Sequence, residues 1–153
     1  MKILVMSDSH GSVSNIFDAI EIEAPDVVLH LGDYAFDCND AGLMFPDVML
    51  RSVRGNSDRR SPGLDIDEFL MDNKRFFITH GHLFGVKISK ISIAKEAVNR
   101  NADVVLFGHT HNPFYSYNDG IILLNPGSIG SGGKMYAVLE LENGEVKHEF
   151  KHL

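Results

Sequence analysis

Five apolar runs in this chain each stop on a polar motif rich in Asp, His, Asn and Gly, and that punctuation constrains the fold more than any other feature. Residues 2–7 halt at Asp8-Ser9-His10, residues 26–31 at Gly32-Asp33, and residues 48–53 run into Gly55-Asn56. Residues 75–79 halt at His80-Gly81-His82, and residues 103–107 at Gly108-His109-Thr110-His111. Short, near-continuous apolar runs such as 2–7, 26–31 and 103–107 are the signature of strands buried on both faces. Between the first two runs, Ser12-Val13-Ser14-Asn15 supplies helix-start chemistry, Ile16, Phe17, Ile20 and Ala24 follow at helical spacing, and Pro25 closes the segment. Strand, helix and strand within about thirty residues form a βαβ unit, so the chain reads as α/β. In open α/β sheets the carboxyl ends of the strands form the ligand crevice. Asp8, Asp33, Asn56, His80 and His109, remote in sequence, are therefore expected to converge.

The rest of the chain fits one compact domain, 1–153, since 153 residues at 44% hydrophobic are enough for a single core. Residues 34–47, rich in Asp and Asn with Gly42 and Pro46, read as a loop. Asp72-Asn73-Lys74 reads as a hairpin turn between residues 69–71 and 75–79, and Asn143-Gly144 as another between Leu141 and Val146. Ile88, Ile91, Ile93, Ala94, Ala97 and Val98 give residues 88–100 the pattern of an amphipathic helix. The lone Cys38 permits no intramolecular disulfide and reads as a small loop residue. The first apolar run is too short for an export signal and no stretch approaches membrane-spanning length, so a soluble cytoplasmic protein is expected.

The net charge of −7 argues against a broad basic face for long nucleic acid. It leaves room for a small phosphorylated substrate, because bound divalent cations reverse the sign locally. Asp8 and His10, like His109 and His111, stand at i and i+2, where a tight turn aims both side chains at one point. Hard carboxylate oxygen mixed with imidazole nitrogen suits manganese, iron, zinc or nickel better than magnesium or calcium. Any one of these residues alone reads as turn polarity. The series promotes them, because clustered carboxylates and imidazoles without a shared partner are costly to bury.

Other polar residues carry plainer readings. His30, inside a strand, reads as a packed, hydrogen-bonded residue, and His148 and His152 as solvated. Arg51, Arg54, Arg59 and Arg60 bracket Gly55-Asn56, and a solvated charged loop is favoured over anion steering. Asn125-Pro126-Gly127-Ser128 reads as a turn in preference to a phosphate-facing nest. Phe36 and Phe45 stand equally for a cleft border or for core and partner contacts.

The ordered set Asp-x-His, Gly-Asp, Gly-Asn, His and Gly-His-x-His resembles the calcineurin-like metallophosphoesterases. With the segments Thr79-His80-Gly81-His82-Leu83-Phe84-Gly85 and Asn125-Pro126-Gly127-Ser128, it is most similar to the small YfcE-type phosphodiesterases. The resemblance spans nearly the whole chain. It implies a four-layer αββα sandwich of mixed sheets and two divalent transition-metal ions, manganese foremost. It further implies that Asp8, His10 and His111 hold one metal, that Asn56, His80 and His109 hold the other, and that Asp33 bridges them. A hydroxide shared by the metals would attack phosphorus in line, with Asn56 stabilising the phosphoryl oxygens. The implied substrate is a small phosphodiester or nucleotide-like molecule, and the implied assembly is a homodimer or homotetramer. The rivals are a phosphomonoesterase and a protein-binding scaffold like the retromer subunit of the same fold, since fold does not fix function.

The chain departs from the family pattern after Gly55-Asn56. Many members carry a histidine there, able to bond the substrate phosphate and protonate the leaving oxygen; here the position is Ser57, followed by Asp58. A hydroxyl cannot act as a general acid near neutral pH. Either good leaving groups are required, or a metal-bound water or His82 donates the proton; His82 otherwise reads as a substrate-facing or plain turn histidine. Ser57→His is expected to alter the dependence of rate on leaving-group pKa in a series of aryl phosphodiesters, and an unchanged profile rejects a role for this position.

Overall fold

The computed structural model describes residues 1–130 and 132–153. Two five-stranded mixed sheets face one another. The first contains β1 (Lys2–Met6), β2 (Val27–His30), β3 (Met49–Ser52), β9 (Met135–Glu142) and β10 (Glu145–His152), in the order β10-β9-β1-β2-β3. The second contains β4 (Ile66–Met71), β5 (Lys74–Thr79), β6 (Val104–Phe107), β7 (Pro113–Asn118) and β8 (Ile121–Pro126), in the order β4-β5-β6-β8-β7. Strands β1, β2 and β3 run parallel, as do β5, β6 and β8, while the outer pairs are antiparallel.

The apolar runs lack alternation because each central strand is covered twice. Successive side chains point to opposite faces. Ile3, Val5 and Leu29 thus meet Phe76, Ile78, Val104 and Leu106 between the sheets. The intervening Leu4, Met6 and Val28 pack outward against Ile16, Ala19 and Ile20 of α1 (Val13–Glu23) and Cys38 and Ala41 of α2 (Asp37–Met44). On the other side Phe77, Val105 and Phe107 pack against Ile93 and Ala97 of α3 (Ile91–Asn99). These are the four layers, αββα. No helix among the described residues is long and apolar enough to cross a membrane.

Several sequence expectations change here. Residues 34–47 are not wholly a loop, for α2 occupies Asp37–Met44 and buries Cys38, which is therefore a helical core residue. Its apolar stripe is too thin to register as a period, while Asp37 and Asp40 sit in the first turn, where the helix dipole favours acids. The 88–100 segment is helical only over Ile91–Asn99, and Ile88 is 94% exposed. Both predicted hairpins form, with Asp72-Asn73 and Asn143-Gly144 at positive φ as two-residue turns require. Asn125 and Pro126 belong to β8, so no turn begins before Gly127. His148 is half-buried, its ring stacked 3.7 Å from Tyr115 of the facing sheet, and burial lowers its pKa. His152 is exposed. Phe45 packs with Phe17 in the helix-covered core, whereas Phe36 is half exposed beside Tyr34. Arg51 and Arg54 are not free cations, since they pair with Asp67 and Asp65 along the β3–β4 edge.

A buried carboxylate ties α1 to the first sheet. Glu23 accepts hydrogen bonds from Tyr136 at 2.9 Å and from Lys151 at 3.2 Å, with Lys2 Nζ at 2.7 Å. Burial alone would raise its pKa, but the bonds from Lys2, Tyr136 and Lys151 outweigh burial and hold it below the ordinary 4.5. A lowered folded pKa stabilises the fold above the unfolded value and loses that contribution as pH falls through the folded one. Glu23→Gln should therefore cost about 1.5–3 kcal/mol at pH 7, with the gap to wild type narrowing below the ordinary Glu pKa; urea unfolding at pH 7 and pH 3.5 checks both points.

Candidate metal centre

The loops that leave β1, β2, β3, β5 and β6 cluster at one end of the sandwich, where parallel strands finish together. Asp8 is fully buried, and its Oδ1 lies 3.0 Å from His111 Nε2 and 3.9 Å from both His10 Nε2 and His80 Nε2. Asp33, 4% exposed, places Oδ2 3.8 Å from His10 Nε2 and Oδ1 3.5 Å from His80 Nε2. Two overlapping groups of donors result, Asp8–His10–His111 and Asp8–Asp33–His80. His109 Nδ1 sits 3.2 Å from His80 Nε2, which brings it to the same cluster. Asn56 begins the short 3₁₀ turn 56–58 after β3, and its side-chain oxygen is buried without a hydrogen-bond partner.

Hydrogen bonds to the backbone set which lone pairs face inward. His80 Nδ1 lies 2.7 Å from the carbonyl of Leu31, which can only accept, so Nδ1 carries the proton and Nε2 presents a lone pair to Asp8, Asp33 and His109. Asp8 Oδ2 accepts from Ser7 Oγ at 2.6 Å and the His109 amide at 3.1 Å, while its Oδ1 is buried and unpaired. Burial would raise the Asp33 pKa, yet the hydrogen bond from the Ser57 amide at 2.9 Å outweighs it and holds the carboxyl below the usual range. Burial, the largest cause, lowers His109 to about 4, so its imidazole is neutral near pH 7. Neutral imidazoles and ionised carboxylates are the protonation states that metal ligands require.

The glycines ahead of these residues admit close backbone approach. A Cβ on Gly55 would collide with the Asp33 carboxylate, and one on Gly108 with Ser7 Oγ. Asp8, His10, Asp33, His109 and His111 themselves hold φ between 46° and 70°. Left-handed backbone at residues other than glycine costs roughly 1–2 kcal/mol apiece and concentrates where function demands it.

Some of the supports were missed in the sequence. Asp58, 2% exposed, accepts from the amides of Gly55 at 2.8 Å and Tyr34 at 2.9 Å, lashing the Gly-Asn loop to the Gly-Asp loop. Asn125 donates to the Gly108 carbonyl at 2.7 Å, and Ser128 Oγ to the Asp8 carbonyl at 3.0 Å. The Asn125–Ser128 segment thus braces ligand loops and is neither a free turn nor a nest. His30 is the packed, hydrogen-bonded residue expected, with burial first among the causes that lower it to about 3. His82 is half-buried, with Nδ1 enclosed and unpaired and its ring 5.4 Å from that of His80; burial lowers its pKa. Ser57, Arg59 and Arg60 are exposed. A cavity of about 320 Å³ opens beside His10 and His111 over Ser128, Gly130, Gly132 and Gly133.

This arrangement has known counterparts. The calcineurin-like phosphoesterase superfamily domain matches residues 1–144. The chain is 34% identical to a probable metallophosphoesterase, YsnB, of Bacillus subtilis over 98% of its own length and 90% of the relative's. It is 33% identical to the phosphodiesterase YfcE of Escherichia coli over 92% and 88%. Among solved structures, a predicted phosphoesterase from Streptococcus pneumoniae superposes with a TM-score of 0.81 at 26% identity, covering 99% of this chain and 88% of that one. Vps29 of Entamoeba histolytica, complexed with zinc, superposes at 0.78 over 99% of each chain, and at 20% identity it shows the fold alone. Sequence, strand order and the donors gathered at the strand ends agree that this chain belongs to the calcineurin-like phosphoesterase superfamily.

Proposed function

We propose that this phosphoesterase is a dinuclear metal-dependent phosphodiesterase acting on a small phosphodiester or nucleotide-like substrate. The observation that carries the reading is a set of buried oxygens that make no hydrogen bond although imidazole nitrogens stand around Asp8, His111 Nε2 at 3.0 Å among them. Asp8 Oδ1 and Asn56 Oδ1 are enclosed without hydrogen-bond partners, and His80 Nε2 faces two carboxylates and a neutral imidazole. Buried polar atoms in folded proteins are as a rule satisfied, and an uncompensated one costs about 1–3 kcal/mol. Divalent cations between these atoms would remove that cost, so the residues fit the group the family uses.

In this reading Asp8, His10 and His111 hold one cation, Asn56, His80 and His109 the other, and Asp33 both. Bound there, two divalent cations supply Lewis acidity and a strong nucleophile at neutral pH. The chain's own contribution is rigidity and charge placement. The Leu31 carbonyl keeps the His80 ring turned and its proton outward, and the Ser57 amide keeps Asp33 ionised. With its oxygen directed inward, the Asn56 amide group has N–H donors left for a phosphoryl oxygen. His82, neutral and beside His80, offers a further ring N–H at the rim. Manganese is the favoured metal for this nitrogen and oxygen mixture, with nickel, iron or zinc as alternatives.

A protein-binding scaffold on the same fold is the second reading, and the shared fold with Vps29 is compatible with it. A scaffold would gain nothing from burying unsatisfied Asp8 and Asn56 oxygens, which favours the enzyme. Protein reconstituted with Mn²⁺ should hydrolyse bis(p-nitrophenyl) phosphate faster than p-nitrophenyl phosphate. Asp33→Asn and His109→Ala should each lower the rate by about 100-fold or more. Equal loss on adding a chelator is expected; hydrolysis that survives both substitutions, or a preference for the monoester, contradicts the proposal.

A further inference from the structure

A buried hydrogen-bond chain passes behind the Asp8-Ser9-His10 turn, and its direction can be read from one end. The Gly32 amide donates to His30 Nδ1 at 3.2 Å, so the imidazole proton lies on Nε2. His30 Nε2 is 3.0 Å from Ser9 Oγ and therefore donates to it. Ser9 Oγ in turn donates its own hydrogen bond to Asp37 Oδ2 at 2.7 Å. The same carboxylate oxygen accepts from the Gly11 amide at 2.9 Å. Asp37 is 3% exposed and has no lysine, arginine or histidine partner among the described residues, so these N–H and O–H donors compensate its burial.

The geometry matters because Ser9 and Gly11 flank His10. His10 adopts φ 46° and Gly11 φ 85°, with Asp8 at 57° on the other side. Three left-handed residues in four form a turn that relaxes unless it is held at both ends. One oxygen of Asp37 holds both ends, and through Ser9 and His30 it joins the turn to Gly32, the neighbour of Asp33. Asp37 is the first residue of α2, so the helix is the anchor.

We infer that Asp37 is a positioning residue for the Asp8–His10–His111 half of the metal centre, acting through Ser9 and the Gly11 amide. The inference rests on the dinuclear reading above. A carboxylate that merely favours the α2 N-terminus would affect stability alone. A carboxylate that aims His10 affects one metal site and spares the other, whose Asn56, His80 and His109 lie on separate loops.

The test is Mn²⁺ titration of the full chain, followed by calorimetry and by electron paramagnetic resonance. Wild type should bind two ions with an exchange-coupled spectrum. In Asp37→Ala one site should weaken by about 10–100-fold while the other keeps its affinity, and the first equivalent should give a six-line mononuclear spectrum. Asp37→Asn, which retains an oxygen able to accept both bonds, should largely restore the second site. Should Asp37→Ala fail to fold, Ser9→Ala interrupts the chain while leaving the Gly11 bond, and it should show the same one-sided loss in milder form. Equal weakening of both sites, or no weakening of either, overturns the role of Asp37 with the dinuclear reading intact. A wild-type chain that takes up no pair of ions removes the dinuclear reading itself, and the inference with it.

Discussion

Two carboxylates, those of Asp8 and Asp33, are buried among imidazoles with no lysine or arginine against either of them among the described residues. Like charges in a region of low dielectric repel, and ionised carboxylates resist desolvation. The chain answers with hydrogen bonds to one oxygen of each, from Ser7 and the His109 amide to Asp8 Oδ2 and from the Ser57 amide to Asp33 Oδ1. Asp8 Oδ1 makes no hydrogen bond, although His111 Nε2 stands 3.0 Å from it. The parallel strand ends, the glycines and the left-handed turns are arranged around keeping these two acids buried and close. Positive charge from bound cations is the balancing element the donor set calls for.

The sandwich supplies the rigidity that such an arrangement needs. Strands β1, β2, β5 and β6 are packed on both faces, so the residues just beyond their ends inherit fixed positions. The candidate ligands lie one to four residues past the last strand residue, and the supporting groups lie one layer further out: Asp58 between the loops after β2 and β3, and Asn125 under the loop after β6. Backbone amides do most of the holding, which lets the site remain acidic.

Much of this was legible in the sequence because strand-end chemistry leaves a linear trace. The five apolar runs became β1, β2, β3, β5 and β6, and Asp8, Asp33, His80 and His109 beyond four of them meet in space. The hairpins at Asp72-Asn73 and Asn143-Gly144 were legible for a local reason, the positive φ their turns require. Helix α2 was not, because its buried face consists of small or polar residues such as Cys38, Ala41 and Asp37, whose hydropathy gives no periodic signal. The supports Asp37, Asp58 and Asn125 escaped for a different reason: each acts on backbone amides or carbonyls of another loop, and sequence spacing carries no record of that partner. His148 failed likewise, since the ring that covers it, Tyr115, belongs to the opposite sheet.

The central claim is that these acids and imidazoles surround a pair of cations. Anomalous diffraction from crystals soaked in manganese tests it most directly. Two peaks roughly 3.5–4 Å apart, one bounded by Asp8 and His111 and the other by His80 and Asn56, with Asp33 between them, are the predicted result. A cluster that stays free of manganese at saturating concentration, with Asp8 and His111 turned away from each other, would contradict the account.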